Sequence, residues 1–287
     1  MQREIFKLSD GRNFEYSTNG VNSDSAVILH AGTIMDLSGW QTWFEYFKNK
    51  DVCAIAIGRS GYVNSSKNPG RITLDIANDV SELATNLELK RMVNFGLSGG
   101  GQHAIATGLD PRSVGVVTSG SLAPFAELGE DFYLGMQQAD IDEYADALSG
   151  NFDQLIGRFK EWIGLTTEIM LNDPNLSAND RRAFETDSAK VLFDSIQITM
   201  NAGWDWVEDD YSSYLKPWGF DPRDVKVPVV IWQGSLDGNV PPVHGKWLSS
   251  NMPNANLKFI EGESHVGVHV NHEKEIMDSA IELLNRA

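Results

Sequence analysis

Two kinds of pattern alternate along this chain. Short, mostly apolar runs occur at residues 26–30, 52–57, 92–95, 114–118 and 228–232, with a more mixed run at 256–260. Runs without a polar face predict strands covered on both sides. Between them, apolar residues return at helical spacing. Trp40, Trp43, Phe44 and Phe47 mark a helix over 38–49 that packs an aromatic face on the sheet. Leu74, Ile76, Val80, Leu83 and Leu87 mark another over 73–87, and 272–286 reads as a closing amphipathic helix. At the start, residues 4–8 and 14–18 flank Ser9-Asp10-Gly11-Arg12 as a β-hairpin. Alternating strands and helices predict a mostly parallel central sheet flanked by helices, with ligands at the carboxyl ends of the strands.

The alternation stops after Ala123. From about 125 to 215 no strand is expected, and helices are expected over 132–148, 153–171 and 177–202. The last opens with Ser177-Ala178-Asn179-Asp180, a capping-box spacing with Asp in place of Glu. The chain therefore divides into a core of residues 1–123 and 216–287 and an all-helical cap of residues 124–215 over the strand ends. The exit of this segment carries Trp204, Trp206, Tyr211, Tyr214 and Trp218. Two readings of these rings stay open: a pocket lining, or contacts between cap and core.

Composition narrows the picture. The chain has 287 residues, 41% hydrophobic and 22% charged, enough to bury a large core. No apolar run approaches the length of a membrane span, and the alternating N-terminus lacks the apolar centre of a signal peptide, so a cytoplasmic location is expected. A formal net charge of -17 argues against nucleic acid and anionic membranes as partners and leaves a small-molecule substrate. Oligomeric state is not encoded legibly, and a homodimer stays open. Cys53 is the single cysteine, which excludes an internal disulfide; its apolar neighbours predict a buried, inert strand residue. No metal cluster, phosphate loop or dinucleotide motif is present, so no cofactor is expected.

Candidate chemistry gathers at strand ends. The run 92–95 leads into Gly96-Leu97-Ser98-Gly99-Gly100 and then into a small-residue helix. A bare Gly-x-Ser-x-Gly arises often by chance; set between strand and helix, it predicts a nucleophile elbow that presents Ser98 at a strained turn. His30-Ala31-Gly32-Thr33, after another strand, is on its own an ordinary βα turn. Beside an elbow, it can supply a second oxyanion donor to complement the Gly99 amide. A serine hydroxyl needs a base and a carboxylate to orient that base. Asp237 and His265, each expected in a loop just after a strand, complete the order Ser, Asp, His. Among the competing histidines, His30 is expected to brace the oxyanion loop, and His103 lies on the elbow helix facing away from its tip. His244 falls on a helix after Pro242, and His269 and His272 lie near the last helix. Asp221 and Asp224 precede their strand and so sit at the wrong end of the sheet.

Together these motifs resemble the α/β-hydrolase superfamily, over essentially the whole length. The resemblance rests on the elbow, on His30-Ala31-Gly32-Thr33 as a His-Gly-x-Pro-like turn and on Gly58-Arg59-Ser60-Gly61-Tyr62 as an Asp-Arg-Pro-Gly-Tyr-like turn. It also rests on Gly234-Ser235-Leu236-Asp237 with Val240-Pro241, and on Gly262-Glu263-Ser264-His265. It implies a cap between the sixth and seventh core strands. It also implies a cofactor-independent serine hydrolase for a small or medium carboxylic ester, with Gly32 as oxyanion donor and Thr33 as fallback. Ala31, Thr33, Gly58 and Ser60 depart from the family pattern, so an oxyanion loop of different shape is expected. Ser98 stands where haloalkane dehalogenases and epoxide hydrolases carry Asp, which argues against alkyl displacement. Carbon–carbon, lactone and N-terminal peptide hydrolysis remain rivals within the fold, and a small-molecule receptor with little turnover is a rival from another class.

Overall fold

The computed structural model describes residues 2–286. The hairpin forms from β1 (Arg3–Lys7) and β2 (Asn13–Thr18), and β2 pairs antiparallel with β4 (Cys53–Ile57). The other strands run parallel: β3 (Ser25–His30), β5 (Arg91–Leu97), β6 (Ser113–Ser119), β7 (Val229–Gly234) and β8 (Ala255–Ile260). The eight strands lie in the order β1-β2-β4-β3-β5-β6-β7-β8.

The mostly apolar runs have a physical cause. Alternate residues of a strand point to opposite faces, and both faces are covered here. Val27 and Leu29 of β3 belong to one buried cluster and Ala26 and Ile28 to another. Ala54 and Ala56 of β4 likewise face away from Cys53, Ile55 and Ile57. The first cluster is closed by α1 (Gln41–Asn49), with Trp43 and Phe47, and by the last helix, α13 (Glu273–Asn285), with Ile276, Ala280 and Leu283. The second is closed by α2 (Asp75–Asn86), with Ile76, Val80 and Leu83. Elbow helix α3 (Gly101–Thr107) is buried at every position, which its small residues permit. Cys53 is buried in β4, and burial pushes its thiol up to about 11.

Between β6 and β7 there are helices only: α4 (Phe125–Leu128), α5 (Gln138–Leu148), α6 (Phe152–Lys160), α7 (Thr167–Leu171), α8 (Ala178–Phe184), α9 (Asp187–Ala202) and α10 (Asp205–Leu215). Each of the three long helices expected here is interrupted. Gly135 (φ 91) lies ahead of α5 and Gly164 (φ 84) ahead of α7, both in the left-handed region that ends a right-handed helix. Thr186 is extended, and its hydroxyl caps α9 by accepting from the Ala189 N–H at 3.1 Å. The Ser177 cap forms as expected, its hydroxyl accepting from the Asp180 N–H at 3.0 Å.

Beyond β7 come α11 (Pro242–Asn251) and α12 (His265–Asn271). His265 therefore heads a short helix instead of lying in a loop; Ser264 caps that helix by accepting from the Gly267 N–H at 3.0 Å. Among the described residues, no helix is long and apolar enough to cross a membrane.

Candidate active site

Strand register assembles the site. In the sheet His30 pairs with Gly96 and Leu97 with Ser119, so the chain leaves three neighbouring strands with Gly32, Ser98 and Gly120 side by side. Ser98 has φ 51, a left-handed conformation rarely taken by a residue with a Cβ. The turn is possible because Gly96 has no side chain: a Cβ there would lie 2.5 Å from the Gly100 carbonyl oxygen and 2.6 Å from the Gly101 Cα. Gly32 sits against the serine, its Cβ position 3.5 Å from the Ser98 Cβ. Gly99 follows in the first turn of the helical stretch, where backbone N–H groups have no partner within the helix.

Gly120 (φ 57) brings in the other two predicted residues. Its Cβ position is 2.8 Å from His265 Cε1 and 3.2 Å from Asp237 Oδ2, so the imidazole and carboxylate lie directly over the strand end next to that of Ser98. His265 Nδ1 bonds to Asp237 Oδ2 at 2.8 Å. Asp237 Oδ1 accepts from the N–H groups of Asn239 (3.0 Å) and Val240 (2.8 Å), which hold the carboxylate rigidly. Burial lowers the pKa of the His265 ring, but the charge and hydrogen bond of Asp237 and the charge of Asp140 more than offset it, leaving it above 6.5. No hydrogen bond joins the Ser98 hydroxyl to this ring; the two groups face one cavity.

That cavity has a volume of about 520 Å³. Gly32, Thr33, Ser98 and His265 form one side, and Tyr144, Phe159, Trp162, Phe193 and Tyr211 from the helical segment form much of the other. Of the exit aromatics, Tyr211 reaches the cavity, whereas Trp206 stacks on Tyr62 and Trp218 on Phe220. No Lys or Arg is among the lining residues. Three acids are: Asp140, which accepts from Asn239 Nδ2 at 3.1 Å, Glu143, which accepts from the Tyr211 hydroxyl, and Asp180, which accepts from the Ser264 hydroxyl. Burial pushes Asp140 up to about 6 and Glu143 up to about 8.

The remaining histidines have other surroundings. His30 is fully buried at the end of β3 with neither ring nitrogen hydrogen-bonded, so it makes no polar contact with the loop that follows it. Burial, assisted by the charge of Arg59, pulls it down to about 3 and keeps it neutral. His103 lies 3.5 Å from the Thr73 carbonyl, and His244 links Ala123 N–H (3.1 Å) to the Phe132 carbonyl (2.9 Å). His269 stacks on Trp43 and Phe95.

The loop of residues 31–34 is held by Arg59, Asp210 and Tyr214, to which the sequence pattern assigns no part in it. Arg59 donates to the carbonyls of Ala31 and Gly32 (3.3 Å for the latter) and is paired with Asp210 of α10 at 2.6 Å. Tyr214 joins Thr33 Oγ1 at 2.8 Å. The one local signal was Arg59 itself, an arginine in a glycine-flanked turn directly after a buried strand.

No family model matches the chain, and no curated protein matches it either. Solved structures do. An α/β-hydrolase-fold protein from Chitinophaga pinensis is similar with a TM-score of 0.68 at 16% identity, over 99% of this chain and 98% of that one. This chain has the α/β-hydrolase fold. An esterase from Rhodococcus sp. ECU1013 (TM-score 0.71, 16% identity) covers 99% of this α/β-hydrolase-fold chain and 98% of its own. An enol-lactonase from Burkholderia xenovorans LB400 (TM-score 0.67, 16% identity) covers 99% and 100%.

Proposed function

We propose that this α/β-hydrolase-fold chain is a hydrolase that cleaves a small or medium carboxylic ester through an acyl-enzyme on Ser98. The observation that carries the reading is the strained Ser98 turn beside His265, which is bonded to the buried Asp237, with Ser98 and His265 both facing one cavity. Ser98 Oγ attacks the carbonyl carbon and gives its proton to His265 Nε2, while Asp237 holds the ring with Nδ1 protonated. The oxyanion takes hydrogen bonds from the Gly99 and Gly32 N–H groups, with the Thr33 N–H beside them. Collapse expels the alcohol, which takes the proton from His265. Water then gives a proton to His265 and attacks the acyl carbon, releasing the acid and restoring Ser98. The serine–histidine bond in such sites tightens when substrate is in place.

Segment 124–215 acts as the cap, supplying apolar walls that exclude water. A cavity of about 520 Å³ suits a ligand of small to medium size. The esterase and the enol-lactonase that share the fold support ester chemistry, and a lactone, being a ring-closed ester, would open by the same steps. The test is treatment with a fluorophosphonate followed by peptide mass spectrometry. One adduct on Ser98 is expected; an unlabelled Ser98 in a protein that nonetheless hydrolyses p-nitrophenyl butyrate would reject the mechanism.

A pH profile probes the site electrostatics. Catalysis needs neutral His265, and its raised pKa puts the acid limb of kcat/KM above 6.5. Ionised Asp140 stabilises the imidazolium, so Asp140→Asn is expected to move that limb to lower pH. A limb that stays put or moves upward would contradict the assignment of His265 as base.

A further inference from the structure

The carboxylate of Asp210, fully buried on α10, is the meeting point of five donors. Arg59 donates through Nε at 3.2 Å and Nη2 at 2.6 Å, Tyr62 at 2.6 Å and Tyr214 at 2.8 Å, and Arg71 completes the set. Two guanidinium groups against one carboxylate keep it ionised, and an ionised carboxylate only accepts. The protons of both tyrosine hydroxyls therefore point at Asp210. Each tyrosine oxygen is left as an acceptor, which fixes the direction of the next bond: Thr33 Oγ1 donates to Tyr214 at 2.8 Å, and the Ile34 N–H donates to Tyr62 at 3.1 Å.

Every residue of the loop Ala31-Gly32-Thr33-Ile34 is thus tied to a group that is itself tied to Asp210. The ties on Ala31 and Gly32 are to their carbonyl oxygens. In a trans peptide unit the C=O and the following N–H point in opposite directions. Holding the Ala31 carbonyl against Arg59 therefore turns the Gly32 N–H the other way, and holding the Gly32 carbonyl does the same for the Thr33 N–H. Those are the donors the proposed mechanism needs, and Gly32 is the residue packed against Ser98. The Thr33 and Tyr214 hydroxyls also fill the space a Cβ on Gly99 would occupy, so the network borders the third donor as well.

We propose that Asp210 is a positioning residue: from the helical segment it sets the peptide orientation of loop 31–34 and so holds the oxyanion donors ready. Resting on the ester-hydrolase reading, this makes the helical segment a contributor to transition-state stabilisation as well as a cover. Without the anchor, the two peptide units can rotate and present carbonyl oxygens to the developing anion. The cost falls on kcat, because ground-state ester binding uses the apolar walls.

The experiment measures kcat and KM for p-nitrophenyl butyrate, with melting curves, for Asp210→Asn, Tyr214→Phe, Thr33→Val and the Tyr214→Phe/Thr33→Val double variant. Asp210→Asn is expected to lower kcat about 100-fold, the scale of a lost oxyanion donor, with KM within about threefold of wild type. That substitution leaves two buried arginines without a counter-charge; if it yields no folded protein, the other variants decide the matter. Thr33→Val should lower kcat roughly fivefold to tenfold, the worth of one neutral hydrogen bond, and Tyr214→Phe, which also loses its bond to the Asp210 carboxylate, should lower it further. The double variant should be no slower than the slower single one, since both remove the same bond. Wild-type kcat in the folded variants, equal losses in kcat and affinity, or additive effects in the double variant would overturn the proposal while leaving the hydrolase reading intact. A wild-type protein with neither turnover nor a Ser98 adduct would overturn both.

Discussion

Ser98→Ala is expected to abolish ester hydrolysis while leaving the fold intact. The hydroxyl is the only atom removed, and alanine keeps the Cβ that makes φ 51 costly, so the strain at the elbow is nearly the same in both proteins. Melting temperature should move by no more than about 3 °C, the effect of roughly 1 kcal/mol in a chain of this size. Activity should fall about 10⁴- to 10⁶-fold, because the oxyanion donors and the binding walls that remain account for only the residual acceleration. Steady-state hydrolysis of p-nitrophenyl acetate and butyrate, read beside a melting curve, checks both halves. A variant that keeps more than a few per cent of wild-type kcat would show that the nucleophile lies elsewhere.

Asp237→Asn should be nearly as severe, for a reason visible in its hydrogen bonds. Oδ1 accepts from two backbone N–H groups, of Asn239 and Val240. An asparagine must keep its carbonyl oxygen at that position, since its amide would otherwise face two donors. Its NH₂ group is then forced onto His265 Nδ1, where the carboxylate oxygen had been at 2.8 Å. An imidazole that accepts at Nδ1 carries its proton on Nε2 and cannot take one from Ser98. The expected loss in kcat is about 10⁴-fold with the side-chain geometry preserved. The acid limb of the profile should also move to lower pH, since the charge that raises the His265 pKa is gone. A loss of tenfold or less, with an unmoved acid limb, would mean that Asp237 is structural.

What could be read without coordinates was whatever depends on neighbours along the chain. Mostly apolar runs marked strands because residues such as Ala26 and Val27 face two different clusters. Gly96 and Ser98 marked the elbow because the clash that forces glycine at 96 is with residues four or five positions away, whereas the clash at Gly100 is with the His30 and Ala31 carbonyls at the end of a neighbouring strand. The order Ser98, Asp237, His265 followed from strand ends that all open on the same side of a parallel sheet. Where local pattern misled, a single residue broke a continuing periodicity. Gly135, Gly164 and Thr186 divide helical stretches whose apolar spacing runs on, and Ser264 starts a helix at His265 where a loop was expected.

The amino-acid sequence by itself determined the sheet, the strained turn and the three side chains brought to its edge, because backbone sterics and apolar periodicity act over a few residues. Only the tertiary structure decided how the loop beside Ser98 is held. Arg59 and Asp210 stand 151 positions apart, and neither position carries a local requirement for the other. Their pairing exists because burial makes an unpartnered charge costly, and burial is a property of the packed chain.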